Sequence, residues 1–134
     1  MAPHRTTITA PGAPAAIGPY SHAVQVDLRS AGSLLFCSGQ IPLDPATGEL
    51  VGATAAEQAR QCLANLTAVC EEAGASLADA VRLTVYMTDL SAFAEVGDVY
   101  ARFFPHDPPA RVAVGVAALP RGAQVEIDAI VAIQ

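Results

Sequence analysis

The sequence contains no lysine: its 7 basic residues are all arginines, at positions 5, 29, 60, 82, 102, 111 and 121. Schiff-base catalysis through a side-chain amine and a phosphate-binding loop built on lysine are therefore excluded. The arginines are scattered, and the net charge is −6 at pH 7. Nucleic-acid binding relies on basic patches, so neither RNA nor DNA is expected as a partner. Cysteine is scarce, with only Cys37, Cys62 and Cys70 and no C-x-x-C pair. All three fall in apolar segments and are expected to be buried, reduced thiols. His4, His22 and His106 lie far apart, with no cysteine or carboxylate at ligand spacing. No metal site and no histidine-based triad is expected, and no cofactor is implied. No stretch reaches 18 uninterrupted apolar residues, so no transmembrane helix is expected. Met1 to Thr9 has no apolar signal core, which points to a soluble cytoplasmic protein.

The hydrophobic share is 52% while aromatics make up only 5%. The core must be assembled from Ala, Val, Leu and Ile. A chain of 134 residues suffices for one domain, taken as 1–134. Residues 1–19 are rich in Pro, Gly and Ala and read as extended, turn-prone chain. Val24 to Leu28 alternates and reads as a strand, and Leu34 to Cys37 as a second, buried one. A long helix is predicted from about Thr54 to Ala73. Thr54 and Glu57 form a capping box there, and Gly74 closes the helix. Val81 to Met87 alternates as a strand. Ser91 is placed as the cap of a second helix, with Phe93, Val96, Tyr100, Phe103 and Phe104 on its apolar side. Strands over about 111–119 and 124–133 finish the chain. The order is strand, strand, helix, strand, helix, strand, strand. This is an α+β fold with two helices on one face of a single mixed sheet. The other face would leave an apolar surface uncovered, which predicts self-association.

Arg111 opens the apolar run Val112 to Leu119 directly after Pro108-Pro109-Ala110, and so reads as a charge at the start of a buried strand. A guanidinium cannot shed its charge and calls for an anionic partner. That partner is either a structural carboxylate, with Glu126 on the next strand as the candidate, or the carboxylate of a ligand. Tyr20 after Gly18-Pro19, Ser38 and Gly39 at a strand end, and Glu126 on the last strand complete the candidate set. Each also has a plain structural role open to it. Together they offer a carboxylate fork, an acid–base group and small polar donors, without a nucleophile or a phosphate loop.

The sequence resembles the Rid family, the YjgF-like or L-PSP enamine/imine deaminases. The resemblance rests on Ala16 to Ala23 with Gly-Pro-Tyr at 18–20, Ser38-Gly39-Gln40-Ile41-Pro42, Gly48-Glu49, Glu57-Gln58, Asn65-Leu66, Pro109-Ala110-Arg111, Leu119-Pro120 and Val125-Glu126-Ile127. It extends from about Ile8 to Ile133. It implies a chorismate-mutase-like (YjgF-like) fold and a homotrimer with clefts between subunits. It also implies hydrolysis of 2-imino or enamine acids of the 2-aminoacrylate type to 2-keto acids and ammonia. By the resemblance, Arg111 binds the substrate carboxylate and Glu126 positions or activates water. Tyr20, Ser38 and Gly39 line the pocket, and Ala113 contributes backbone groups. The family often carries Asn where this chain has Gly97, and a polar pair where it has Val112-Ala113. The loop from Phe104 to Pro109 also looks shorter. These departures imply a less polar, wider rim. They keep open an alternative: a small-molecule binding or pathway-dedicated tailoring protein on the same scaffold.

Overall fold

Residues 4–134 are described by a computed structural model. The strands are β1 (Arg5–Ile8), β2 (Ala23–Asp27), β3 (Ser33–Gln40), β4 (Ala80–Met87), β5 (Ala110–Gly115) and β6 (Val125–Ile133). The helices are α1 (Ala55–Glu72) and α2 (Phe93–Phe103). One six-stranded sheet runs in the order β1-β2-β3-β6-β4-β5. Only the β4–β5 pair is parallel, and the rest of the ladder is antiparallel. The sheet is therefore mixed, and the α+β class read from the sequence holds.

The parity of each strand decides what is buried. Leu35, Leu83, Val85, Val125, Ile127 and Val131 point to one face and are almost fully buried. Against them α1 packs Ala59, Cys62, Leu63, Leu66, Val69 and Cys70, each 0% exposed. These positions recur at helical spacing. Each leucine so buried contributes about 1.5–3 kcal/mol. Thr54 Oγ1 accepts from Glu57 N–H, so Thr54 caps α1 as expected, while Glu57 Oε2 accepts from Ala53 N–H, one residue before the cap rather than from the cap itself. Gly74 follows the helix at φ 73°, the left-handed conformation glycine adopts without strain.

Four details differ from the sequence reading. First, β1 precedes the expected strands. Its Arg5-Thr6-Thr7-Ile8 is exposed along most of its length and shows no apolar alternation. Second, Ser91 does not cap α2. Asp89 instead accepts from Ser91 N–H and opens a short turn, and α2 begins at Phe93 with no side-chain cap. Third, the strand after Pro109 ends at Gly115 rather than 119. Fourth, β5 is an edge strand and mostly exposed, not buried. Its apolar character serves the sheet face away from the helices, where Val112 and Val114 are 42% and 36% exposed and Phe36 is 43% exposed. Val24, Val26, Leu34 and Ile130 share that face by register. This open apolar face is the one from which the sequence leads to an expectation of self-association.

Cys37, Cys62 and Cys70 are free and buried. Cys62 Sγ lies 3.6 Å from Val125 O and donates to it. Burial, reinforced by the negative charge of Glu126, pushes the Cys62 thiol far up. Contact with Cys70, and then burial, does the same to Cys37. Neither is a thiolate nucleophile.

Candidate functional site

Glu126 stands in a cleft on the sheet face away from the helices. It pairs across the ladder with Tyr86, whereas the neighbouring Ile127 faces the core. The cleft has a volume of about 250 Å³ and is lined by Ile17, Tyr20, Ser38, Gly39, Ile41, Pro120 and Glu126. Its shape begins with a register break. The β3–β6 ladder is interrupted between Cys37 and Gln40, which leaves Ser38 and Gly39 out of regular pairing. Glu126 folds against Gly39, where a Cβ atom would collide with its Oε2 and Cδ. Gly39 is thus required by the close approach of the carboxylate.

The Tyr20 loop is tied down from two sides. Ser38 Oγ donates to Ser21 O at 2.7 Å, and Ser38 N–H donates to His22 O at 2.9 Å. His22 is buried, with Nδ1 accepting from Ala10 N–H at 2.8 Å and Nε2 placed 2.7 Å from Pro14 O. Both ring nitrogens are therefore spent on the loop. The Ser38 hydroxyl proton is likewise spent, so Ser38 builds the wall and keeps only acceptor capacity toward a ligand. Tyr20 is 40% exposed, and its hydroxyl accepts from Ile17 N–H at 3.3 Å. That hydroxyl retains its own proton to donate into the cleft. On α1, Asn65 Nδ2 donates to Leu43 O at 3.0 Å, and Gln58 bridges Gly52 O and Gln124 N–H. These two buried amides hold the loop after Ile41 and the entry to β6 in place.

The Glu126 carboxylate has no hydrogen-bond partner among the described residues. Burial, and then the negative charge of Asp128, raises its proton affinity above the ordinary carboxylate value. Asp128 sits two residues on, on the same face of β6. Its Oδ1 accepts from Thr84 N–H at 3.2 Å and its Oδ2 from Tyr86 Oη at 3.0 Å. The sequence singled out Glu126 but not Asp128 or Tyr86. Their alternation on adjacent strands was the available signal.

Arg111 lies elsewhere. It pairs with Leu83 on β4, so it faces the helix side at the open edge of the sheet. Its guanidinium carbon sits 5.0 Å from the Phe93 ring centroid and 5.4 Å from that of Tyr100. Ala113 follows on the same side, and Phe93, Gly97, Tyr100, Arg111 and Ala113 all line one small pocket. No carboxylate pairs with Arg111 among the described residues. The sequence-based option of an ion pair to Glu126 is thereby overturned, because β4 lies between β5 and β6 and the two side chains point to opposite faces. In the sheet plane they are two strands and three residues apart, roughly 14 Å. The candidate residues thus fall into two separate groups within one chain, Tyr20, Ser38, Gly39 and Glu126 in one and Arg111 and Ala113 in the other.

Fold and these two groups define the class: a mixed-sheet α+β domain in which, among the described residues, a guanidinium at one edge and a carboxylate in a cleft on the opposite face both lack an ionic partner. Residues 10–133 match the family model described as Endoribonuclease L-PSP. The chain is 53% identical to protein DfrA of Myxococcus xanthus over 126 residues, which covers 94% of each. It is 45% identical to a Bos taurus 2-iminobutanoate/2-iminopropanoate deaminase, covering 94% of this chain and 88% of that one. Among solved structures, the Rid-family protein YyfA of Yersinia pestis superposes with a TM-score of 0.88 at 40% identity, over 97% of this chain and 100% of that one. The chain belongs to the Rid (YjgF-like, L-PSP) family.

Proposed function

We propose that this protein hydrolyses reactive 2-imino acids, and the enamines that tautomerise to them, to 2-keto acids and ammonia. The observation that carries the reading is the pair of unpaired, complementary groups. A guanidinium with no structural carboxylate suits a ligand carboxylate. A carboxylate of raised proton affinity, with no structural donor, suits proton transfer. Relatives at 43–45% identity bear the name 2-iminobutanoate/2-iminopropanoate deaminase.

The two groups of residues are unable to act on one small molecule within a single chain. We propose that three copies assemble with their open apolar faces turned inward. The Arg111 edge of one copy then lies against the Glu126 cleft of the next, giving three shared sites. This arrangement buries Val112, Val114 and Phe36, and it uses the β5 edge that would otherwise stay open.

Chemistry in such a site needs no covalent catalyst, because the iminium carbon is already electrophilic. Arg111 holds the substrate carboxylate through two parallel hydrogen bonds and fixes the plane of the C=N group. Tyr20 donates from the cleft wall. Glu126 takes a proton from water as the oxygen bonds to C2, giving a 2-amino-2-hydroxy acid. The proton passes to nitrogen; the C–N bond breaks as the hydroxyl gives its proton to Glu126, C2 becomes the ketone carbon, and ammonia leaves with that proton as ammonium. The charge distribution gives no support to an RNA substrate: the net charge is −6 and the arginines form no stripe.

The test is direct. Imino acids generated in situ by an amino-acid oxidase should release keto acid faster when the protein is present than through spontaneous hydrolysis. An unchanged rate on every imine tried would reject the deaminase reading and leave the binding-protein alternative.

Asp128 gives a pH prediction. The groups facing Glu126 are Tyr20 from the loop, Tyr86 from β4 and Asp128 from β6, and Asp128 is the one negative charge among them. Removing that charge lowers the pKa of Glu126. Where deprotonated Glu126 acts as base, the acid limb of the pH profile of kcat/KM should move to lower pH in Asp128→Asn. A limb that stays in place would show that Asp128 only braces Tyr86 and Thr84.

A further inference from the structure

Tyr20 is held over its cleft by a segment without regular structure. No helix or strand lies between Ile8, where β1 ends, and Ala23, where β2 begins. The Tyr20 ring is 40% exposed, so packing against the core does not fix it. A loop of this length visits many shapes unless its ends are tied. One buried side chain, His22, reaches both ends of it. His22 Nδ1 meets the Ala10 N–H at 2.8 Å, and a backbone N–H only donates, so Nδ1 carries no proton. The proton of the neutral ring is therefore on Nε2, which donates to Pro14 O at 2.7 Å.

The Nε2 bond joins the two ends of the segment that carries the cleft residues. Pro14 stands at one end and His22 at the other, with Ile17 and Tyr20 between them. The His22 end is docked on β3 through Ser38, whose N–H donates to His22 O and whose Oγ donates to Ser21 O. The Pro14 end is then fixed by the imidazole. Within the loop, the Tyr20 hydroxyl is held by the Ile17 N–H at 3.3 Å, long for such a bond. The aim of that hydroxyl thus depends more on the clasp at the loop ends than on its own contact.

We propose that His22 is a positioning residue for imine hydrolysis. Its bond to Pro14 closes residues 14–22 into a fixed loop and so aims the Tyr20 hydroxyl at the ligand, while His22 itself touches no substrate. This rests on the deaminase reading given above. A histidine that only satisfied two buried backbone groups would act on stability, independently of Tyr20. A clasp acts on rate through Tyr20, and a double-variant cycle separates the two roles.

The experiment measures kcat/KM on imines formed in situ from alanine and leucine, with wild type, Tyr20→Phe, His22→Asn, His22→Gln and the Tyr20→Phe/His22→Asn double variant. In His22→Asn the short amide takes the place of Nδ1 and keeps the Ala10 bond, but nothing reaches Pro14 O and the clasp opens. In His22→Gln the longer amide reaches Pro14 O. One neutral hydrogen bond is worth roughly 3- to 10-fold, so Tyr20→Phe and His22→Asn should each lower kcat/KM by about that factor. The double variant should fall no further than the worse single one, because both remove the same contribution, and His22→Gln should recover most of the loss. If His22→Asn does not fold, the cycle is run with His22→Gln, whose smaller loss should vanish in the Tyr20→Phe background. Losses that multiply in the double variant, a His22→Asn protein with lowered Tm but wild-type kcat/KM, or a Tyr20→Phe protein with wild-type kcat/KM overturns this inference alone. A wild type that hydrolyses neither imine overturns the deaminase reading and this inference with it.

Discussion

Arg111→Ala should lower kcat/KM for imino-acid hydrolysis by at least about a hundredfold, since each charged hydrogen bond to a carboxylate contributes about 1.5–3 kcal/mol and two are lost. The loss should fall mainly on reaction with free enzyme, because the anchor acts from binding onward. Stability should hardly change. Arg111 is exposed at the sheet edge, and its partners are two rings rather than a buried carboxylate. Substitutions at such places usually stay within about 0.5 kcal/mol. Arg111→Lys is the sharper variant. It keeps the charge but presents a point donor instead of a planar fork, so one of the two parallel bonds is lost along with the fixed plane of the substrate. It should therefore resemble Arg111→Ala more than wild type. Keto-acid release, with the oligomer checked by sedimentation, measures both. Wild-type kcat/KM in a folded, oligomeric Arg111→Ala would remove the carboxylate anchor from the mechanism.

Much of the fold was legible in the sequence, and the part of the residue arrangement that was not has a geometric reason. The capping box at Thr54 and Glu57 and the stop at Gly74 are local signals, and α1 forms where they place it. The polar identity of Glu126 within an alternating strand was equally plain. What composition did not reveal was parity across strands. Arg111 and Ala113 alternate with Val112 and Val114, but three of these four are apolar, so the pattern does not say which face is covered. The edge position of β5 depends on β4 pairing between it and β6, a non-local fact. Hence a single-chain ion pair between Arg111 and Glu126 looked possible in sequence and is excluded by topology. The strand β1 escaped notice because Thr6 and Thr7 bury nothing and leave no alternation. Ser91 is not the cap because Asp89, two residues earlier, accepts from Ser91 N–H and opens the short turn Leu90–Ala92 that leads into α2, which places Ser91 inside that turn. Asp128 and Tyr86 became visible only once register placed them on adjacent strands of one face.

Glu126→Gln should be the second severe variant. The amide keeps the shape and fills the space beside Gly39, but it accepts no proton from water at working pH. A positioned acid–base group contributes about 10²–10⁴-fold, so kcat should fall within that range. Burial already penalises the charged form of Glu126, so the neutral amide should not destabilise the fold. This outcome separates Glu126 from Arg111: one variant loses turnover after binding, the other loses binding itself.

The central claim is that each site is shared, with Arg111 from one copy and Glu126 from the next. Mixing the two dead variants tests it. Arg111→Ala subunits carry an intact Glu126 cleft, and Glu126→Gln subunits carry an intact arginine edge. If the two are co-expressed at equal levels and assemble at random, an intact site forms wherever a Glu126→Gln subunit presents its edge to an Arg111→Ala neighbour. In a cyclic trimer this happens at roughly a quarter of the interfaces. Shared sites predict recovery of about a quarter of wild-type turnover in the mixed assembly, against about a hundredth or less in either parent. A mixed assembly, verified by mass to contain both subunits, that stays as inactive as its parents would contradict it.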